Sequence, residues 1–174
     1  MHGLHIMPRW KPAIPAERRS FTAFFRPIFP ELASFHWIYP DRIPFGGPDE
    51  EFETLAETTC SEGYIPPDTI LPRFARFFIQ DWCDLFGFRH LPDVAVTLQQ
   101  LREQPSDYEW MSAQTDICFF NVDNAFWEIY ARDRGLLETV RQHVAGLSDI
   151  TVQDVLLENR DELHRPKFWP KFLR

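Results

Sequence analysis

The sequence predicts an α+β fold: a small antiparallel sheet with a central hairpin at about 114–131, packed against helices at about 71–86, 92–103 and 135–145, with an irregular Pro-rich N-terminal third. Three observations carry that expectation. Two strand-like runs flank Asp123-Asn124. Apolar residues recur at helical spacing in the three later segments. Eleven of the fifteen prolines fall between Pro8 and Pro72, which leaves the first third little room for long helices or central strands.

That first third is nonetheless too apolar to stay in water. Phe21, Phe24, Phe25, Ile28, Phe29, Phe35, Trp37, Ile38 and Tyr39 call for short helical turns and extended pieces wrapped onto the rest, with a short strand over Ser34–Tyr39. Pro44-Phe45-Gly46-Gly47-Pro48 reads as a turn. The acids behind it suit the positive end of a short helix running to about Thr58.

From Leu71 to Phe86, Arg73, Arg76, Gln80 and Asp84 form one narrow polar stripe. Phe74, Phe77, Phe78, Ile79, Trp82, Leu85 and Phe86 cover most of the remainder, so a largely buried central helix is expected, ended by Gly87. The helix from Pro92 to about Glu103 turns Val94, Leu98 and Leu101 inward. In the hairpin, a two-residue Asp123-Asn124 turn would place Val122 opposite Ala125, Phe120 opposite Trp127 and Cys118 opposite Ile129. Those six residues would face the core. Asn121, Phe126, Phe119, Glu128, Ile117 and Tyr130 would form a mixed second side. Leu136, Leu137, Val140 and Val144 mark the buried face of the helix from Gly135 to Ala145, which Gly146 caps. Residues 150–163 fit either a capped helix starting at Thr151 or a short strand through Ile150 and Val152.

One domain over 1–174 suits the length. Seventeen Phe, six Trp and four Tyr make 16% of the chain, which calls for a core rich in rings, or for an aromatic docking surface. Three cysteines, odd in number and far apart, do not make a disulfide framework and favour a reducing compartment. Met1–Trp10 lacks the apolar run of a secretory signal, and no stretch nears the ~20 apolar residues of a membrane span. A cytoplasmic location, with no membrane, is expected.

The net charge of −8 is uneven: residues 1–26 and 165–174 are each net +4, and residues 27–164 are net −16. The basic ends are expected to dock loosely on the acidic body. Such a body repels phosphates and attracts a basic protein, so a basic protein partner is expected and nucleic acid is not.

The motifs that carry chemistry are missing: no GxGxxG, GxxxxGK[ST], GxSxG, CxxC or HExxH occurs. His2 and His5 sit at an end read as mobile, and neither metal nor cofactor is expected. Cys83 and Cys118 read as small core residues; Cys60 stands in a polar stretch. Asp81, Asp84 and Glu128 are carboxylates without an evident pairing. As contacts for a basic partner, the sequence offers Asp49, Glu50, Glu51 and Glu53, with Glu128 and Tyr130 as weaker candidates.

The run Ile117-Cys118-Phe119-Phe120-Asn121-Val122-Asp123-Asn124-Ala125-Phe126-Trp127-Glu128-Ile129-Tyr130, then a polar turn and a helix to Val144, resembles small bacterial immunity proteins that neutralise cognate toxins. The resemblance covers 28 of 174 residues and implies stoichiometric binding without catalysis; it transfers no site residues. The expected function is therefore a non-enzymatic protein-binding module, an immunity-type inhibitor that occludes a toxin's basic active-site surface. The alternatives are an enzyme of an unfamiliar class, with a carboxylate or Cys/His cleft joining several of Glu128, His90, His143 and Cys60, and a structural or self-associating subunit.

Overall fold

The protein is described from a computed structural model, which covers residues 1–8, 20–40, 45–46, 63–67, 78–79, 83–122 and 126–164. The strands are β1 (His2–Pro8), β2 (His36–Ile38), β3 (Phe45–Gly46), β4 (Tyr64–Ile65), β5 (Phe78–Ile79), β6 (Cys83–Phe88), β7 (Ile117–Val122), β8 (Phe126–Ala131) and β9 (Ile150–Leu156). The helices are α1 (Phe21–Phe25), α2 (Phe29–Leu32), α3 (Val94–Glu103), α4 (Tyr108–Gln114), α5 (Arg134–Ala145) and α6 (Arg160–His164). Single 3-10 turns at Arg26–Ile28 and Leu157–Asn159 lead into α2 and α6. The chain is thus α+β.

Seven strands form one sheet in the order β4–β2–β6–β7–β8–β1–β9, and every neighbouring pair is antiparallel. The sheet carries helices on both faces. On the first, Leu4, Ile6, Trp37, Leu85, Ile117, Phe119, Trp127, Ile129 and Ala131 meet α1, α2 and the apolar side of α5. On the second, Phe86, Phe88, Cys118, Phe120 and Tyr130 meet α3, α4 and Leu157. Rings supply much of both layers. Phe21 and Phe25 of α1 stand edge-on to Phe119 at 4.9 and 4.8 Å, and Phe21 to Trp127 at 5.4 Å. Such contacts add to the area the rings bury.

Local chemistry explains the helix starts. Asp93, Asp107 and Asp133 accept from the backbone N–H groups of Val96, Trp110 and Gly135, and Ser20 does the same for Ala23.

Three sequence expectations are corrected. The central helix over 71–86 does not form as such: Phe78–Ile79 and Cys83–Phe88 are strands, and residues 71–77 and 80–82 lie outside the described residues. β6 is buried on both faces, with Leu85 in one core and Phe86 and Phe88 in the other, so its residues lose the alternation that marks a strand. The β7–β8 register is displaced by one. Val122 pairs with Phe126, Phe120 with Glu128 and Cys118 with Tyr130, around a three-residue connection at 123–125. Gln114 belongs to α4 instead of the strand. Finally, residues 2–8 are not loose. β1 lies between β8 and β9, paired on both edges, and Phe21, Phe24 and Phe25 are buried. Residues 150–163 resolve into a strand, a 3-10 turn and the start of α6. The expected helix after Pro48 and the tail from Arg165 lie outside the described residues.

β1 sits in the sheet partly because Gly3 allows it. A Cβ there would lie 2.3 Å from Tyr130 Cδ1 and 2.5 Å from the Ile129 carbonyl oxygen, so only hydrogen lets the Tyr130 ring cross the strand.

Candidate functional site

Two places gather polar groups. The first is a row across the second face of the sheet. Register sets Gln153 of β9 beside His5 of β1, His5 beside Glu128 of β8, Glu128 beside Phe120 of β7 and Phe120 beside Asp84 of β6. Period-two alternation turns all five side chains the same way. Arg160, at the start of α6, lies over this row with its guanidinium carbon 4.0 Å from the centre of the Phe120 ring.

Glu128 is at the centre and is fully buried. Its Oε1 is 3.1 Å from His5 Nδ1, and its Oε2 accepts from Arg160 Nε at 2.7 Å. Arg160 also donates from Nη1 to the Tyr108 hydroxyl at 3.3 Å, and that hydroxyl donates to Asp161 Oδ1 at 3.2 Å. Burial by itself would lower the Arg160 pKa. The field and hydrogen bond of Glu128, joined by Tyr108, outweigh it and hold the guanidinium above its ordinary value. Each carboxylate oxygen thus carries a partner, and the cluster ties β1, β8, α4 and α6 together. Asp84 and Glu128 are separated by β7, roughly 10 Å between strands, with Phe120 and Arg160 in the interval.

Next to this row, the Tyr130 hydroxyl is buried and has no hydrogen-bond partner among the described residues. Burial, then the Glu128 charge, raises its pKa. Burial pushes the Cys118 thiol up to about 12, although Thr115 Oγ1 lies 3.0 Å from its sulfur.

The second place is the free side of β9. This strand ends the sheet, and among the described residues no strand pairs its outer edge. A cleft of about 500 Å³ runs beside it, lined by His2, Gln153, Asp154, Val155, Leu156, Asn159, Glu162 and Leu163. The cleft wall mixes apolar Val155, Leu156 and Leu163 with the carboxylates of Asp154 and Glu162. Arg141 of α5 reaches Asp154, whose side chain still keeps 78% of its exposure.

The structure separates the residues singled out from the sequence. Asp49, Glu50, Glu51 and Glu53 lie outside the described residues. Glu128 and Tyr130 are wholly buried, so neither lies at the surface where a partner would touch it. Strand alternation turns their side chains to the second face, which α3, α4 and Leu157 cover. His2 and His5 point to opposite faces, as alternate strand parity requires, and do not form a metal pair. The cleft expected around Glu128, His90, His143 and Cys60 does not assemble from the described residues. His90 is exposed, and His143 of α5 bonds the Ala23 carbonyl from the first face. Cys60 lies outside the described residues. Among the described residues, no three of His, Cys, Asp and Glu cluster as a metal site, and no helix is long and apolar enough to cross a membrane.

Sequence reasoning missed His5, Arg160 and the β9 edge. Arg160 is 32 residues from Glu128, and no local pattern announces that pairing. The alternation of Ile150 and Val152 was the one signal for β9.

Comparison with protein families, curated proteins and solved structures gives no match. The likeness of Ile117–Val144 to immunity proteins therefore brings no relative from which contacts could be carried over.

Proposed function

We propose that this chain is a non-enzymatic protein-binding module of the immunity type, which neutralises a cognate toxin by covering its basic active-site surface. The observation that carries this reading is the acid-bordered outer edge of β9, which no strand pairs among the described residues, with Asp154 and Glu162 lining its cleft, on a chain of net charge −8. Long-range attraction would raise the encounter rate with a basic surface, and desolvated apolar contacts at the cleft would hold the complex. The buried Glu128 cluster serves this role indirectly, by fixing β1 and α6 on either side of the cleft.

The test is co-expression of the chain with the product of the adjacent reading frame. The expected results are rescue of growth, a 1:1 complex on gel filtration, and association that slows as salt is raised. Substitution of both Asp154 and Glu162 by Lys should slow association most at low salt. A chain that neither rescues growth nor binds that product would overturn the reading, as would salt-independent association.

A further inference from the structure

The outer edge of β9, unpaired among the described residues, has a defined hydrogen-bonding parity. Leu157 N–H donates to the Met1 carbonyl at 2.9 Å, and the register continues from that pair as His2 with Leu156 and Gly3 with Val155. In an antiparallel ladder such pairs alternate, so Gln153 and Val155 also turn their backbone groups inward to β1. Val152, Asp154 and Leu156 turn theirs outward. Pro8, which has no N–H to give, faces Ile150, as the same parity requires.

We infer that the outward edge of β9 is a strand-addition site, where an extended basic segment of a partner protein pairs antiparallel with residues 152–156. The inference rests on the protein-binding reading above and deepens it. Three observations select this occupant. The outward N–H and C=O groups of three successive even-numbered residues offer main-chain pairing at regular spacing. Val155 and Leu163 line the cleft beside them, which suits a β-branched side chain on alternate positions of the added strand. The carboxylates of Glu162 and of Asp154, which stays 78% exposed beside Arg141, border the same cleft, which favours lysine or arginine on the intervening positions. A fold leaves a strand edge open at the risk of aggregation, and a charge such as Asp154 on that edge repels a second acidic copy while admitting a basic strand.

The test is amide hydrogen exchange by NMR on the full chain, alone and with a nine-residue peptide of alternating lysine and valine. In the free chain, the amides of Val152, Asp154 and Leu156 should exchange freely while those of Gln153, Val155 and Leu157 are protected. The lysine–valine peptide should protect the first three, and a glutamate–valine peptide should not. Asp154→Asn should weaken binding chiefly at low salt. Asp154→Pro also removes one outward donor and should weaken it by about tenfold at any salt. Gln153→Pro removes an inward donor and should instead lower stability.

Protection of the three outward amides in the free chain would overturn the inference. If that protection is independent of protein concentration, the edge is covered by the chain itself; if it rises with concentration, a second copy covers it. Equal binding of both peptides, or lysine–valine binding that leaves these amides unprotected, would overturn it as well. Toxin neutralisation that survives Asp154→Pro would leave the protein-binding reading standing and remove this edge from it. Loss of neutralisation by the unsubstituted chain would remove that reading with the exchange pattern unaffected.

Discussion

Replacing Arg160 by Met separates the ionic role of this residue from its packing. Methionine keeps an unbranched apolar stem near Phe120 but leaves Glu128, fully buried, without the donor that stands 2.7 Å from its Oε2. Taking one member from a buried ion pair costs about 3–5 kcal/mol, because the remaining charge stays desolvated. The Arg160 side chain is 14% exposed and His5 still faces the other oxygen, so the lower end, about 3 kcal/mol, applies. With a urea m-value of about 2 kcal/mol/M, the unfolding midpoint should fall by about 1.5 M. Urea titration followed by tryptophan fluorescence would measure it, since Trp37 and Trp127 are buried and report on the core. Arg160→Lys, which keeps the charge but loses the planar donor pair, should fall between the two. Glu128→Met combined with Arg160→Met should cost less than Arg160→Met alone, because no carboxylate is then stranded. A midpoint for Arg160→Met within about 0.5 M of the unsubstituted protein would refute a stabilising pair.

Two further outcomes follow from single residues. Gly3→Ala should destabilise by about 1–3 kcal/mol, since its Cβ would meet the Tyr130 ring at 2.3 Å and backbone oxygen at 2.5 Å; thermal unfolding with an unchanged midpoint would contradict the close approach. Glu158 receives hydrogen bonds from the Met1 ammonium and from Ser112. Burial alone would raise its pKa, but these bonds outweigh it and bring the carboxyl from the ordinary 4.5 down to about 2. A depressed carboxylate contributes stability that is complete above the unfolded value and is lost as pH falls through the folded one. The stability gap between the unsubstituted chain and Glu158→Gln should therefore be widest above pH 4.5 and close toward pH 2. Parallel stability–pH curves for the two proteins would rule this out.

Helices were the elements most legible in the sequence. α3 and α5 appear within a residue or two of their expected bounds, because apolar spacing and Asp or Gly at the ends are local features. The mixed α+β class was legible too, from a strand-like stretch among helical ones. β6 was not. A strand buried on both faces shows the same unbroken apolar run as a buried helix, and periodicity cannot tell them apart. The register of β7 and β8 turned on one residue in their connection, and that single step exchanged which residues face each other across the pair.

The polar sites divide along the same line. Composition and charge determined, without any structure, that the chain has a ring-rich interior and an acidic middle. Only the tertiary structure brought His5, Glu128 and Arg160 into contact across the sheet, and only the strand order made β9 an edge. The physical reason is range. Helical periodicity and capping act over a few residues and leave their mark in the local sequence. Buried ion pairs here join residues 32 and 123 positions apart, and whether a carboxylate is a surface charge or a buried anchor depends on which strands close around it.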